Sequence, residues 1–146
     1  MLVPIHQEMT REALSPHFSP RAIEIIIAAN CRQDSWRGQI GHNEFHFDNN
    51  AIEESNRYIN EQRGYILSSL LSPGILSAWI AFGRLTHTAQ DFYSHTNYIP
   101  LWMEKNARLS ALEVNPADKE IFASPELHSG KLYIPMDVLY FIPPLR

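Results

Sequence analysis

Residues 75–95 restrict this chain more than any other stretch. They form a helix-length run rich in Leu, Ile, Ala and aromatic side chains, yet carry His87, Asp91 and His95 at i, i+4 and i+8. On an α-helix that spacing sets the three in a line along one face. The remaining positions hold Trp79, Ile80, Phe82, Leu85, Phe92 and Tyr93, so the helix belongs in a core. Polar groups buried there cost several kcal/mol unless each finds a partner. A hydrogen-bonded His–Asp pair is one such partner and a metal ion is another. The third group in the line, His95, favours the metal.

Other segments read the same way. Residues from His6 to Leu14 predict a short helix that Pro16 ends. Ser19-Pro20 reads as an N-cap with proline at the first helical position. The run Ala22, Ile23, Ile25, Ile26, Ile27, Ala28, Ala29 is apolar almost all round and predicts a buried helix reaching Asp34. Residues 35–45 carry Gly38 and Gly41 without periodicity and read as a loop. Asp48, Asn49 and Asn50 offer caps for a helix from Ala51 to Leu71, which Ser72-Pro73-Gly74 breaks. Pro100 is expected to close the 75–95 stretch, with a further helix over Leu101–Leu112. No strand pattern of comparable length occurs, so the expected class is all-α: a compact multi-helix bundle.

Residues 116–146 differ. Five of the ten prolines lie there (Pro116, Pro125, Pro135, Pro143 and Pro144), a density that forbids a continuing helix. The expected organisation is a helical metal-site domain over 1–115 with an irregular tail, 116–146, packed on it.

Composition narrows the function. At 146 residues the chain is one domain in size and buries roughly 70% of its unfolded surface. Its net charge of −4 disfavours broad electrostatic binding to nucleic acid, although a local cationic site could still attract phosphate. One cysteine, Cys31, excludes an internal disulfide and an all-Cys zinc site. No apolar run is long enough to span a bilayer and no signal-peptide core is present. The chain as given reads as cytoplasmic, or as secreted if a signal was removed.

Seven histidines stand out. His6 opens the first helix, Asp34 ends the second, and His46 precedes the third. A bundle can converge such helix ends on one cavity. Imidazole and carboxylate are ligands zinc prefers, at about 2 Å. His42 reads as a loop residue, and His17 and His128 as surface.

Four motifs carry a resemblance: H-x3-T-x2-A-L from His6, A-N-x3-D from Ala29, H-F-D from His46, and GRLTHTAQDFYSHTNY over 83–98. Together they resemble the Het-C family over residues 6–102, and more distantly the zinc-dependent phospholipase C and single-strand nuclease superfamily. The resemblance implies one to three zinc ions. His46, His87 and Asp91 would hold one, His6 with Asp91 part of a second, and His95 would begin a third. Asp34 would serve as ligand or general base. No His-x3-Glu or His-x3-Asp follows residue 95, so the third site is incomplete. The implied activity is metal-assisted hydrolysis of a phosphodiester, either phospholipid or nucleic acid. Tyr93, Asn97 and Tyr98 would shape the substrate mouth or simply pack. The alternative is a non-catalytic, zinc-stabilised interaction domain that meets a protein partner through its apolar C-terminal tail.

Overall fold

In a computed structural model, residues 1–71, 73–110 and 114–130 are described. They build an all-α bundle of α1 (Val3–Leu14), α2 (Pro20–Cys31), α3 (Trp36–Gln39), α4 (Asn43–His46), α5 (Ile52–Leu70), α6 (Ile75–His95), α7 (Tyr98–Lys105) and α8 (Lys119–Phe122). Among the described residues there is no strand, only an isolated antiparallel bridge between Thr96 and Ser129. None of their helices is long and apolar enough to cross a membrane.

Local sequence sets most boundaries. Ser19 caps α2 by accepting from the Ala22 N–H, and Pro20 opens the helix with φ already fixed. Beyond Cys31 the chain tightens into a 3-10 turn, Arg32–Asp34, instead of continuing as α-helix to Asp34. Residues 35–45 are not a bare loop. Ser35 accepts from Gly38 and Gln39 N–H to start α3, and α4 follows as one more turn. Single turns carry no period a sequence can reveal, because each is held by one or two local bonds.

Asp48, Asn49 and Asn50 do not cap α5. They form a 3-10 turn in which Asn49 and Asn50 are left-handed, and Ala51 stands at the N-cap position without a side-chain bond. Pro100 does not close the preceding helix either. It sits third in α7, within the first turn, where an N–H has no intrahelical acceptor to lose. The break falls at Thr96–Asn97, and α7 ends at Lys105, short of Leu112. The tail expected over 116–146 contains α8, capped by Asp118, and the bridging Ser129. The apolar stretches beyond Gly130 lie outside the described residues.

Helix α6 is the axis, with α2 and α5 packed along it. Ala22, Ile23, Ile26, Ile27 and Ala29 of α2 are buried, as are Ala78, Ala81 and Gly83 of α6. Full burial of each isoleucine contributes about 1.5–3 kcal/mol. Gly83 permits a close approach of α6 to α2, since a Cβ there would stand 2.3 Å from the Ile26 carbonyl oxygen. A second core gathers Phe47, Phe92, Tyr98 and Ile121. Along α6, the buried positions pass from small aliphatics through His87, Thr88 and Asp91 to Phe92. The polar stripe therefore lies inside the bundle.

Candidate metal centre

Three backbone features bring side chains to that stripe. Helix α1 carries His6 and Thr10 as its two buried residues. The 3-10 turn after α2 carries Asp34. At the end of α4, Phe47 adopts φ 58°, a left-handed conformation uncommon for an aromatic residue, and it separates His46 from Asp48. Both His46 and Asp48 are buried, and the turn is pinned from outside. Gly130 accepts from Asn49 N–H, while Asn50 and Ser129 exchange a backbone-to-side-chain pair at 2.8 and 2.7 Å.

His6, Asp34, His87 and Asp91 converge so that one ligand atom from each lies within 4.8 Å of all the others, and this group could hold a metal ion. His6 Nε2 is 3.2 Å from Asp91 Oδ1 and 3.6 Å from Asp34 Oδ2. His87 Nε2 is 3.1 Å from Asp91 Oδ2 and 3.7 Å from Asp34 Oδ1. Four ligands in a tetrahedron at about 2.0–2.1 Å from an ion stand about 3.3 Å apart. Each carboxylate turns one oxygen to His6 and the other to His87, at separations near that spacing. The His6 and His87 rings stack at 4.3 Å, which brings their Nε2 atoms to the same side.

The opposite nitrogens settle which atoms remain for a ligand. His6 Nδ1 donates to Gln90 Oε1 at 2.7 Å, and that oxygen also accepts from Asn30 Nδ2. Gln90 Nε2 in turn donates to Thr10. His87 Nδ1 donates to Asn30 Oδ1 at 3.4 Å. His46 Nε2 donates to the Gly38 carbonyl at 3.3 Å. Each imidazole therefore spends one N–H on a neutral amide or peptide oxygen and directs its other nitrogen at the carboxylates. That is how outer partners fix the tautomer of metal-ligating histidines. Buried His6 Nε2 and Asp34 Oδ2 make no hydrogen bond, although such groups normally find one.

His46 and His95 flank the group. His46 Nδ1 lies 2.9 Å from Asp91 Oδ2 and 3.1 Å from His87 Nε2. His95 is half-buried; its Nδ1 donates to Asp48 Oδ1 at 2.8 Å, and its Nε2 stays 3.7 Å from Asp91. The Met1 amine stands 2.9 Å from both Asp91 Oδ1 and His95 Nε2. Asp48 thus orients His95 and does no capping.

Burial favours neutral forms here, and charge opposes it. Burial lowers the His87 pKa despite the Asp91 hydrogen bond. For His46, burial is outweighed by the hydrogen bond and charge of Asp91, with Asp34 and Asp48 adding to it, so its pKa rises. Burial would raise Asp91, but the imidazoles of His46, His6 and His87 set around it hold its carboxyl far below the usual range.

The remaining sequence candidates sit elsewhere. His42 pairs with Glu44 and stacks on Phe45. His17 and His128 are exposed. Tyr98 is fully buried, donating to the Pro116 carbonyl and accepting from Asp118 N–H, and Asn97 clamps residues 126–128. Neither forms a mouth to the cluster. Sequence reasoning missed Gln90, Asn30 and Gly38. Asn30 carried a signal, being the polar residue that ends the apolar run Ile25–Ala29 of α2; Gln90 follows His87 by one turn.

The family model of the VWA7 N-terminal domain matches residues 5–122. The chain belongs to that family. No curated protein and no solved structure matches it. This corrects the Het-C resemblance, since the VWA7 N-terminal domain is a different family. The resemblance rested on four separate motifs within residues 6–102, whereas the VWA7 N-terminal match runs from residue 5 through α8. Phosphodiester hydrolysis, with Asp34 as its general base, rested on the Het-C resemblance and falls with it. Asp34 sits where its Oδ1 accepts from Gln39 Nε2 at 2.9 Å and its Oδ2 faces His6.

Proposed function

We propose that this VWA7 N-terminal domain is a zinc-binding domain whose ion is held by His6, Asp34, His87 and Asp91, with His46 orienting Asp91. The observation that carries the reading is the direction of the imidazoles. Neutral oxygens of Gln90 and Asn30 take one N–H each from His6 and His87, leaving both Nε2 lone pairs to face two carboxylates. Lone pairs opposed to carboxylate oxygens repel unless a proton or a cation lies between them.

Charge supports a divalent ion. Two largely buried carboxylates carry a formal charge of −2, of which the Met1 amine on Asp91 offsets one, and leaving the rest buried and unpaired costs several kcal/mol. Mixed nitrogen and oxygen ligands in a four-coordinate arrangement suit zinc better than calcium or magnesium, which take oxygen. When bound, zinc supplies positive charge and a cross-link among α1, the 3-10 turn and α6.

The test is metal content and melting temperature of untagged protein. About one zinc per chain is expected, and removing it with a chelator should lower Tm by about 5 °C or more. His87→Ala and His6→Ala should lose the metal while His128→Ala keeps it. Protein that holds no stoichiometric metal, or a His87→Ala variant with unchanged zinc content, would refute the assignment.

A further inference from the structure

A groove of about 890 Å³ opens beside the cluster but contains none of its four ligands. Its floor is aliphatic, from α2 and α6. Its rim holds Arg32, Arg37 and Arg84 together with Trp36, Phe45 and Tyr58, and no carboxylate lines it. All three arginines are exposed. Among the described residues none of them enters an ion pair, whereas Arg11 is engaged by Glu24, and Lys105 by Asp118 and Glu120. The whole chain has net charge −4, yet three guanidinium groups outside any ion pair line this one groove, with the nearby carboxylates of Glu44 and Glu61 acting on Tyr58 from outside its lining.

Arginine is suited to such a place. Its planar fork binds carboxylate, sulfonate or phosphate through paired N–H donors, and it is weakly hydrated enough to sit beside aromatic faces. Trp36 is 54% exposed, while Phe45 and Tyr58 pack ring to ring at 4.5 Å, tilted by 36°, and give the groove an aromatic wall. The volume falls within the range of small-molecule pockets.

We propose that this groove binds an anionic small molecule with a flat apolar body, its charge held by Arg32, Arg37 and Arg84 and its body laid against Trp36, Phe45 and Tyr58. The site is independent of the metal reading.

The probe is 1-anilinonaphthalene-8-sulfonate, a planar aromatic anion whose fluorescence reports binding, titrated into the full chain beside its uncharged analogue N-phenyl-1-naphthylamine. Saturable binding of the anion is expected, weakened about tenfold by Arg84→Ala and again by adding Arg32→Ala, and weakened by salt. Arg11→Ala, on α1, should bind like the parent. The neutral analogue should bind at least tenfold more weakly than the anion. Circular dichroism and Tm of each variant establish that the fold is kept, which exposed arginines permit. Equal affinity of the anion for parent and double variant overturns the proposal, as does equal affinity for the neutral analogue or the absence of saturable binding.

Discussion

Tyr58 illustrates how one residue in this domain serves two neighbours. Its hydroxyl donates to Gln33 Oε1 at 2.7 Å, and Gln33 Nε2 donates to the Arg84 carbonyl and to Thr88 on α6. Burial, opposed by Arg84 and assisted by the charges of Glu44 and Glu61, pushes the phenol up to about 12. An unfolded tyrosine ionises near about 10. Between those two values the folded state keeps a proton that the unfolded state has lost. The contribution of Tyr58 is therefore complete below about pH 10 and disappears as pH rises toward about 12. Denaturant midpoints at pH 9, 10 and 11 should fall more steeply for the parent than for Tyr58→Phe. Parallel slopes in the two proteins would show that the phenol is not held neutral by the fold.

At the scale of elements, two glycines on the long helices make opposite demands. Gly83 lies where α6 meets α2, with a Cβ position 2.3 Å from the Ile26 carbonyl oxygen and 2.8 Å from Ala29 Cβ. Gly64 lies in α5 with nothing within 4 Å of its Cβ position. Gly83→Ala should destabilise by about 1–3 kcal/mol or more, because backbone cannot yield as a flexible side chain does. Gly64→Ala should stabilise by up to about 1 kcal/mol, the helix-propensity difference alone. Urea denaturation of both variants decides it, and a destabilising Gly64→Ala or a neutral Gly83→Ala would contradict this packing. The same contrast explains what the sequence could reveal. The long helices were legible because their apolar periodicity repeats over several turns, and the His87–Asp91 stripe because it interrupts that pattern. The single turns α3 and α4 are too short to repeat any pattern, while the left-handed residues 47, 49 and 50 and the outer partners Gln90 and Gly38 depend on distant contacts. A polar glutamine one turn from a histidine looks the same whether it faces water or an imidazole.

For the molecule as a whole, the cluster joins segments that otherwise adhere unequally. Helices α2 and α6 share the aliphatic core, and Ile52 and Ile59 of α5 pack against the aromatic one. Helix α1 does not contribute to either: its buried residues are His6 and Thr10, while Leu2 before it and Val3, Ile5 and Met9 within it are exposed. What holds α1 at its site-facing edge is polar: the bonds joining Gln90 to His6 and Thr10, the Met1 amine just before the helix on Asp91 and His95, and the opposition of His6 Nε2 to the two carboxylates. An ion shared by His6, Asp34, His87 and Asp91 fastens α1 to α6, and its loss removes that link while the aliphatic core persists. Stability in a domain is not uniform, and elements with little apolar burial open first. Amide hydrogen exchange should therefore respond unevenly to chelation. Protection in α1 should drop at least tenfold, which corresponds to about 1.4 kcal/mol of local opening free energy, while α2 and the Ala78–Gly83 part of α6 keep theirs. His6→Ala should show the same pattern before any chelator is added, and chelation should then change little more. Uniform loss of protection across all helices would mean that the cluster supports the global fold and not the docking of α1. Unchanged protection in α1 would mean that the Gln90 bonds and the Met1 amine suffice to hold it without an ion.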